Sequence, residues 1–233
     1  MQIKKASGTS SQDNIITESI PIGIILAIGG GFMDAYSYSG RDGVFANAQT
    51  GNMLLLGISI AGGKWGRALR YLIPVFLFAI GIVLSDLTKN HFYRAGILNW
   101  RQIALLFEIA ALFIVSFMPQ KMNLAANSIT SLACGIQVES FRRIEGNSVA
   151  TTMCIGNLRS GMNHLITFAE EKNMTELKKS ILYFGIIIFF VIGAIIGDRF
   201  VRKFDEQAIL FDDLIFLSAL FLMFLGKKRS RKL

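Results

Sequence analysis

Residues 29–52 read GGGFMDAYSYSGRDGVFANAQTGN and lie inside apolar sequence. The stretch holds a glycine triplet, a carboxylate (Asp34) and the polar side chains Asn47, Gln49, Thr50 and Asn52. In a bilayer, irregular backbone and unpaired polar groups cost several kcal/mol unless they face protein or a water-filled cavity. The stretch is therefore expected in the protein interior. A weaker echo follows at residues 134–157, CGIQVESFRRIEGNSVATTMCIGN, which again runs from glycine and an acidic residue to a closing Gly-Asn.

The composition around these stretches selects the solvent. Hydrophobic residues make up 52% of the chain and charged residues 17%, with a mean hydropathy of +0.49. An average soluble domain carries about 25% charged residues. The expectation is an all-α polytopic membrane protein, and 233 residues leave no room for a sizeable soluble domain beside it.

Residues 1–19 are polar and aperiodic and read as a disordered tail. Pro21 then opens an apolar run to about residue 38, longer than a signal-peptide core of ~7–15 residues, so it reads as a retained first helix. Seven more apolar segments cover about 44–61, 69–88, 102–118, 123–140, 149–169, 180–199 and 209–226. A span needs ~20 residues, and all eight are near that length. Segments 44–61 and 149–169 are too polar to insert easily alone, so they either cross or re-enter. A basic tail, 227–233, closes the chain.

With either arrangement, the side holding both termini collects most of the Lys and Arg, which predicts cytoplasmic termini. The net charge of +8 is concentrated in these flanking loops, so it is no sign of nucleic-acid binding.

The chain reads as one membrane domain, 20–226, built from two related halves of three to four segments each, about 20–118 and 123–226. At an offset of 105, Gly30, Asp34, Tyr36, Gly51 and Asn52 align with Gly135, Glu139, Phe141, Gly156 and Asn157. At an offset of 112, Tyr71, Phe78, Gly81 and Asp86 align with Tyr183, Phe190, Gly193 and Asp198. Duplicated halves with interrupted segments in corresponding places point to a transporter-like site near the midplane. Four crossings per half would make the halves parallel and three would invert them; the reading leans to four.

The two motif stretches resemble the YoaK-like family of uncharacterised bacterial integral membrane proteins, defined by a domain of unknown function. The first half matches its G-x-x-D-A and T-G-N pattern at Gly31, Asp34, Ala35, Thr50, Gly51 and Asn52. The second half matches G-x-Q and the later glycine at Gly135, Gln137 and Gly156, but Val138, Glu139 and Ser140 stand where the resemblance implies Asn-Ala, and Ile155 replaces a threonine. The resemblance implies a bacterial inner-membrane location and no particular activity.

Buried carboxylates carry protons or meet cations, which singles out Asp34 and Glu139. The alternative for each is a structural pair with an arginine near the adjoining turn. Arg159 cannot discharge in a membrane and needs an anion or an acidic partner, for which Asp34, Glu139 and Glu108 are the candidates. His164 reads as an interfacial side chain. Gly51-Asn52 and Gly156-Asn157 mark either helix interruptions or close packing. Cys134 and Cys154 read as packing residues, with no zinc spacing, and no cofactor or metal is expected.

A solute or ion site between the halves would draw on Asp34, Asn47, Gln49, Thr50, Asn52, Gln137, Glu139, Thr152, Asn157 and Arg159. The favoured function is a transporter or channel for a small solute or ion, and homo-oligomerisation is compatible with it. The runner-up is an accessory or signalling membrane protein acting through a partner. Enzyme motifs are lacking, which places a membrane-embedded enzyme third.

Overall fold

The structure is a computed structural model that describes residues 16–92 and 99–230. Residues 1–15 of the first expected tail and 231–233 of the second lie outside the described residues, and residues 227–230 continue the last helix. Where the first tail is described, Thr17 is buried and Glu18 pairs with Arg101 at 2.6 Å, so the packed chain begins earlier than residue 20.

Eight helices follow: α1 (Ile20–Gly40), α2 (Gln49–Ala61), α3 (Trp65–Phe92), α4 (Trp100–Val115), α5 (Asn123–Ser140), α6 (Cys154–Glu171), α7 (Met174–Phe204) and α8 (Ile209–Ser230). A small hairpin, β1 (Arg143–Ile144) with β2 (Asn147–Ser148), joins α5 to α6. The boundaries have local causes. Proline opens α1, a capping box of Asn99 and Gln102 opens α4, and Asn173 caps α7. Asp42 and Gly43, both at positive φ, reverse the chain after α1.

Among the described residues, three stretches are long and apolar enough to cross a membrane: Ile20–Gly40, Trp65–Lys89 and Met174–Gly226, the last comprising most of α7 and α8. Large apolar side chains such as Leu54, Phe76, Leu87, Ile181 and Phe221 cover the outside, as a lipid-facing surface requires.

Two helix pairs run side by side in the same direction. Along α1 and α7, Ile28 lies beside Gly193, Phe32 beside Gly197 and Gly40 beside Val201. Along α3 and α5, Phe78 lies beside Gly135, and the Ser85 and Ser140 hydroxyls are 2.9 Å apart. Glycine permits this approach, because a Cβ at Gly31 or Gly193 would overlap the carbonyl oxygens of Phe190 or Ile28. One at Gly81 or Gly135 would overlap those of Leu132 or Phe78.

The directions follow from what gathers at each end. The first end holds Thr17, Glu18, Arg101, Ser140 and the hairpin, with Gly226 of α8 against Ile16. The second holds Arg41, Met118, Asn123, Asp198 and Glu206, with Arg70 reaching Asp42. Helices α1, α4 and α7 run from the first end to the second, and α3, α5 and α8 run back.

Helices α2 and α6 do neither, which selects re-entry of the two alternatives open for segments 44–61 and 149–169. Residues 44–48 turn back from the second end to the middle of α1, and α2 then returns to that end, where Gly62 and Gly63 lead into α3. Residues 149–153 enter from the first end until Thr152 sits against Gly30, and α6 returns to that end, where His164 meets Glu176. Thirteen residues at 1.5 Å each make α2 only about 20 Å long, too short for a span. Among the described residues six helices thus run from end to end, while α2 and α6 each enter and leave by the same end, against the lean toward four crossings per half.

Candidate functional site: the meeting point of two half-depth helices

The irregular stretch before α2 is held open by polar contacts. Asp34 Oδ1 accepts from the amides of Asn47 at 2.7 Å and Ala48 at 3.3 Å, which puts a carboxylate at the N-terminus of α2. Asn47 Nδ2 donates to the Gly30 carbonyl at 3.2 Å. Asn52 braces the loop from within the helix, accepting from Phe45 N at 2.9 Å and donating to Phe45 O at 2.8 Å and to Gln49 at 2.9 Å.

The stretch before α6 uses the same brace. Asn157 accepts from Ala150 N at 3.2 Å and donates to Ala150 O at 2.6 Å. The chain breaks thus lie several residues upstream of the Gly-Asn pairs, and the asparagines secure them.

The two stretches come together. Thr152 packs on Gly30, Cys134 Sγ lies 3.6 Å from Met33 Sδ, and Ser131 Oγ donates to the Ala46 carbonyl at 3.3 Å. Asp34, Asn47, Gln49, Asn52, Gln137, Thr152 and Asn157 are all buried. Glu139 is half-buried and pairs with Arg142 at 3.4 Å, the structural alternative foreseen for it.

Two of the expected site residues are elsewhere. Thr50 is exposed, since the first turn of α2 presents it outward. Arg159 is exposed on α6 and pairs with none of Asp34, Glu139 or Glu108, because α6 packs on α7 through the face carrying Gly161 and turns Arg159 away. His164 stacks on Tyr183 and bonds Glu176, a packing role at the first end.

Three interior features go beyond the expected site residues, and of their members only Glu108 was singled out from sequence, as a candidate partner for Arg159. Arg41 is fully buried without a carboxylate partner among the described residues; it donates to Tyr36, Met118 O, Asn123 and Val115 O. Carbonyls at the C-terminal end of α4 thus hold its charge. Arg101 is its counterpart at the first end, bonding Ser140 O, Thr17 and Glu18. The third feature is acidic: Glu108 on α4, 1% exposed, faces Asp212 and Asp213 on α8, 0% and 5% exposed. None of these carboxylate oxygens has a hydrogen-bond partner among the described residues. Asp212 Oδ1 would lie 3.1 Å from a Cβ at Gly29, next to the Gly30 that Thr152 packs on, so this cluster adjoins the meeting point. An apolar groove of about 770 Å³ between α4 and α8 includes Asp213 in its lining. The paired aspartates inside the apolar run 209–226 were the available sequence signal.

A family described as "Protein of unknown function (DUF1275)" matches residues 22–224. The chain belongs to this family. It is 24% identical over 181 residues, 74% of this chain and 79% of the relative, to the "UPF0700 transmembrane protein YoaK" of Bacillus subtilis (strain 168). This is a family of uncharacterised transmembrane proteins, and the apolar outer surface agrees with that setting. No solved structure matches.

Proposed function

We propose that the chain is a channel or transporter for a small solute or ion, built from two inverted repeats with its site where α2 and α6 meet. The observation that carries this is the pair of half-depth helices, entering from opposite ends and bringing their N-terminal stretches together at Gly30 and Thr152. Interrupted backbone at that depth needs a reason, and lining a polar pathway is one that transport supplies.

Equivalent contacts in the two halves support the repeat. Gly31 against Phe190 corresponds to Gly135 against Phe78, and Ile28 against Gly193 corresponds to Leu132 against Gly81. Gly30 beside Thr152 corresponds to Cys134 beside Asn47. These contacts set the first-helix offset at 104 rather than 105, with one extra residue before the asparagine brace. Three full-depth helices per half give the halves opposite orientation.

Both described termini lie at the same end. With α2 and α6 re-entering, that end carries fifteen Lys and Arg against eight at the other, which supports cytoplasmic termini. In a bacterium the location is the inner membrane.

The test is solute and ion flux into proteoliposomes holding the purified protein, with Asp34→Asn as the control. Flux above empty liposomes that Asp34→Asn abolishes is the expected result. Absence of flux across inorganic ions and small polar solutes overturns the reading and favours an accessory protein acting through a partner.

A further inference from the structure

We propose that the N-terminus of α6 binds a small anion of carboxylate size, in the place that Asp34 fills at the N-terminus of α2. The inference rests on the inverted-repeat reading above and deepens it by naming a ligand class.

The first half shows what such a stretch takes. Its amides at Asn47 and Ala48 close on one carboxylate oxygen, supplied by α1. The second half has the same brace, with Asn157 holding Ala150 as Asn52 holds Phe45, and an 18-residue helix behind it. It lacks the carboxylate. The register set by Gly31 and Gly135 puts Val138 where Asp34 stands. The next residue, Glu139, is drawn to Arg142 at the end of α5.

What remains before α6 is a set of donors. The hydroxyls of Thr151 and Thr152, each 3% exposed, have no hydrogen-bond partner among the described residues. The amides of these two residues likewise have no acceptor among the described residues. Buried hydroxyls, free amides and the positive end of a helix dipole together favour an anion. Asp34, the carboxylate at the neighbouring half-helix, already has its charge held by the amides of α2. Both half-helix ends would then be neutralised alike, one by the chain and one by a ligand.

The experiment compares thermal unfolding of the full chain, purified in detergent, in sodium acetate and in the sodium salt of HEPES, a bulky sulfonate without a carboxylate, at equal pH and ionic strength. Acetate should raise Tm by about 3–5 °C, as expected for a ligand near tenfold its Kd and a domain of this size. Val138→Asp supplies the missing carboxylate and should abolish the acetate shift without lowering Tm in the sulfonate salt. Thr151→Val with Thr152→Val removes the hydroxyls and should also abolish it. Should Val138→Asp fail to fold, Val138→Asn and the threonine variant decide. Equal wild-type Tm in the two salts, or a full acetate shift kept by every folded variant, overturns the proposal. An acetate shift without flux sinks the transport reading and leaves the anion site; flux without an acetate shift does the reverse.

Discussion

Asp34 is held by two amides, so shortening its side chain and neutralising it should have separable consequences. In Asp34→Ala the buried amides of Asn47 and Ala48 lose their acceptor, now 2.7 and 3.3 Å away. Each orphaned donor costs about 1–3 kcal/mol, so the expected loss is about 2–6 kcal/mol. At about 2–4 °C per kcal/mol for 150–250 residues, Tm should fall by about 4–24 °C. Asparagine keeps an oxygen in place and gives up the attraction between carboxylate and helix dipole, about 0.3–2 kcal/mol. That loss is offset because a buried charge is no longer confined, so Asp34→Asn should stay within about 4 °C of wild type. Thermal unfolding followed by size-exclusion fluorescence reads both variants, and flux reads function in the stable one. Two outcomes would refute the reasoning: Asp34→Ala as stable as Asp34→Asn, or Asp34→Asn with undiminished flux.

Other substitutions probe the rest of the interior. Arg159→Gln should leave Tm within about 2 °C of wild type and should not rescue any Asp34 variant, since the side chain is exposed and unpaired among the described residues. A cost above that would mean a partner exists. Glu108→Gln and Asp212→Asn should keep or raise Tm by a few degrees, because each removes an unpartnered buried carboxylate; a marked fall would show that both charges are structurally paired. Gly135→Ala should cost about 1–3 kcal/mol or more, because the added methyl meets the Phe78 backbone, while Gly156→Ala should be near neutral, with open space around it. Equal stability of these two would contradict the close helix approach. Topology reporters should place Gly63 opposite the termini and Lys172 on their side; eight full crossings would put Gly63 on the termini's side.

The burial of the two motif stretches was legible in the sequence because polar groups inside apolar runs have few affordable places. Asp34, Asn47, Asn52, Gln137, Thr152 and Asn157 are interior for that reason. Burial alone does not name partners. Arg159 was matched with acids by charge and depth, yet the rotation of α6 about its axis, fixed by Gly161 packing on Tyr183 and Phe184, turns it outward. The isolated interior position of Arg41 was equally hidden, since its partners come from carbonyls some 74 to 77 residues away and carbonyls have no sequence signature.

By itself the sequence determined the membrane setting, the positions of the apolar segments and the two places where they fail to be apolar, since these follow from transfer costs summed along the chain. Only the tertiary structure decided that the two failing segments turn back. A re-entrant helix and a crossing one differ little in composition; they are told apart by which end each terminus reaches, and that is set by Asp34 holding the amides before α2 and by Thr152 meeting Gly30. Such contacts join residues 13 to 122 positions apart, so their energy depends on how helices are placed and not on any local stretch of residues.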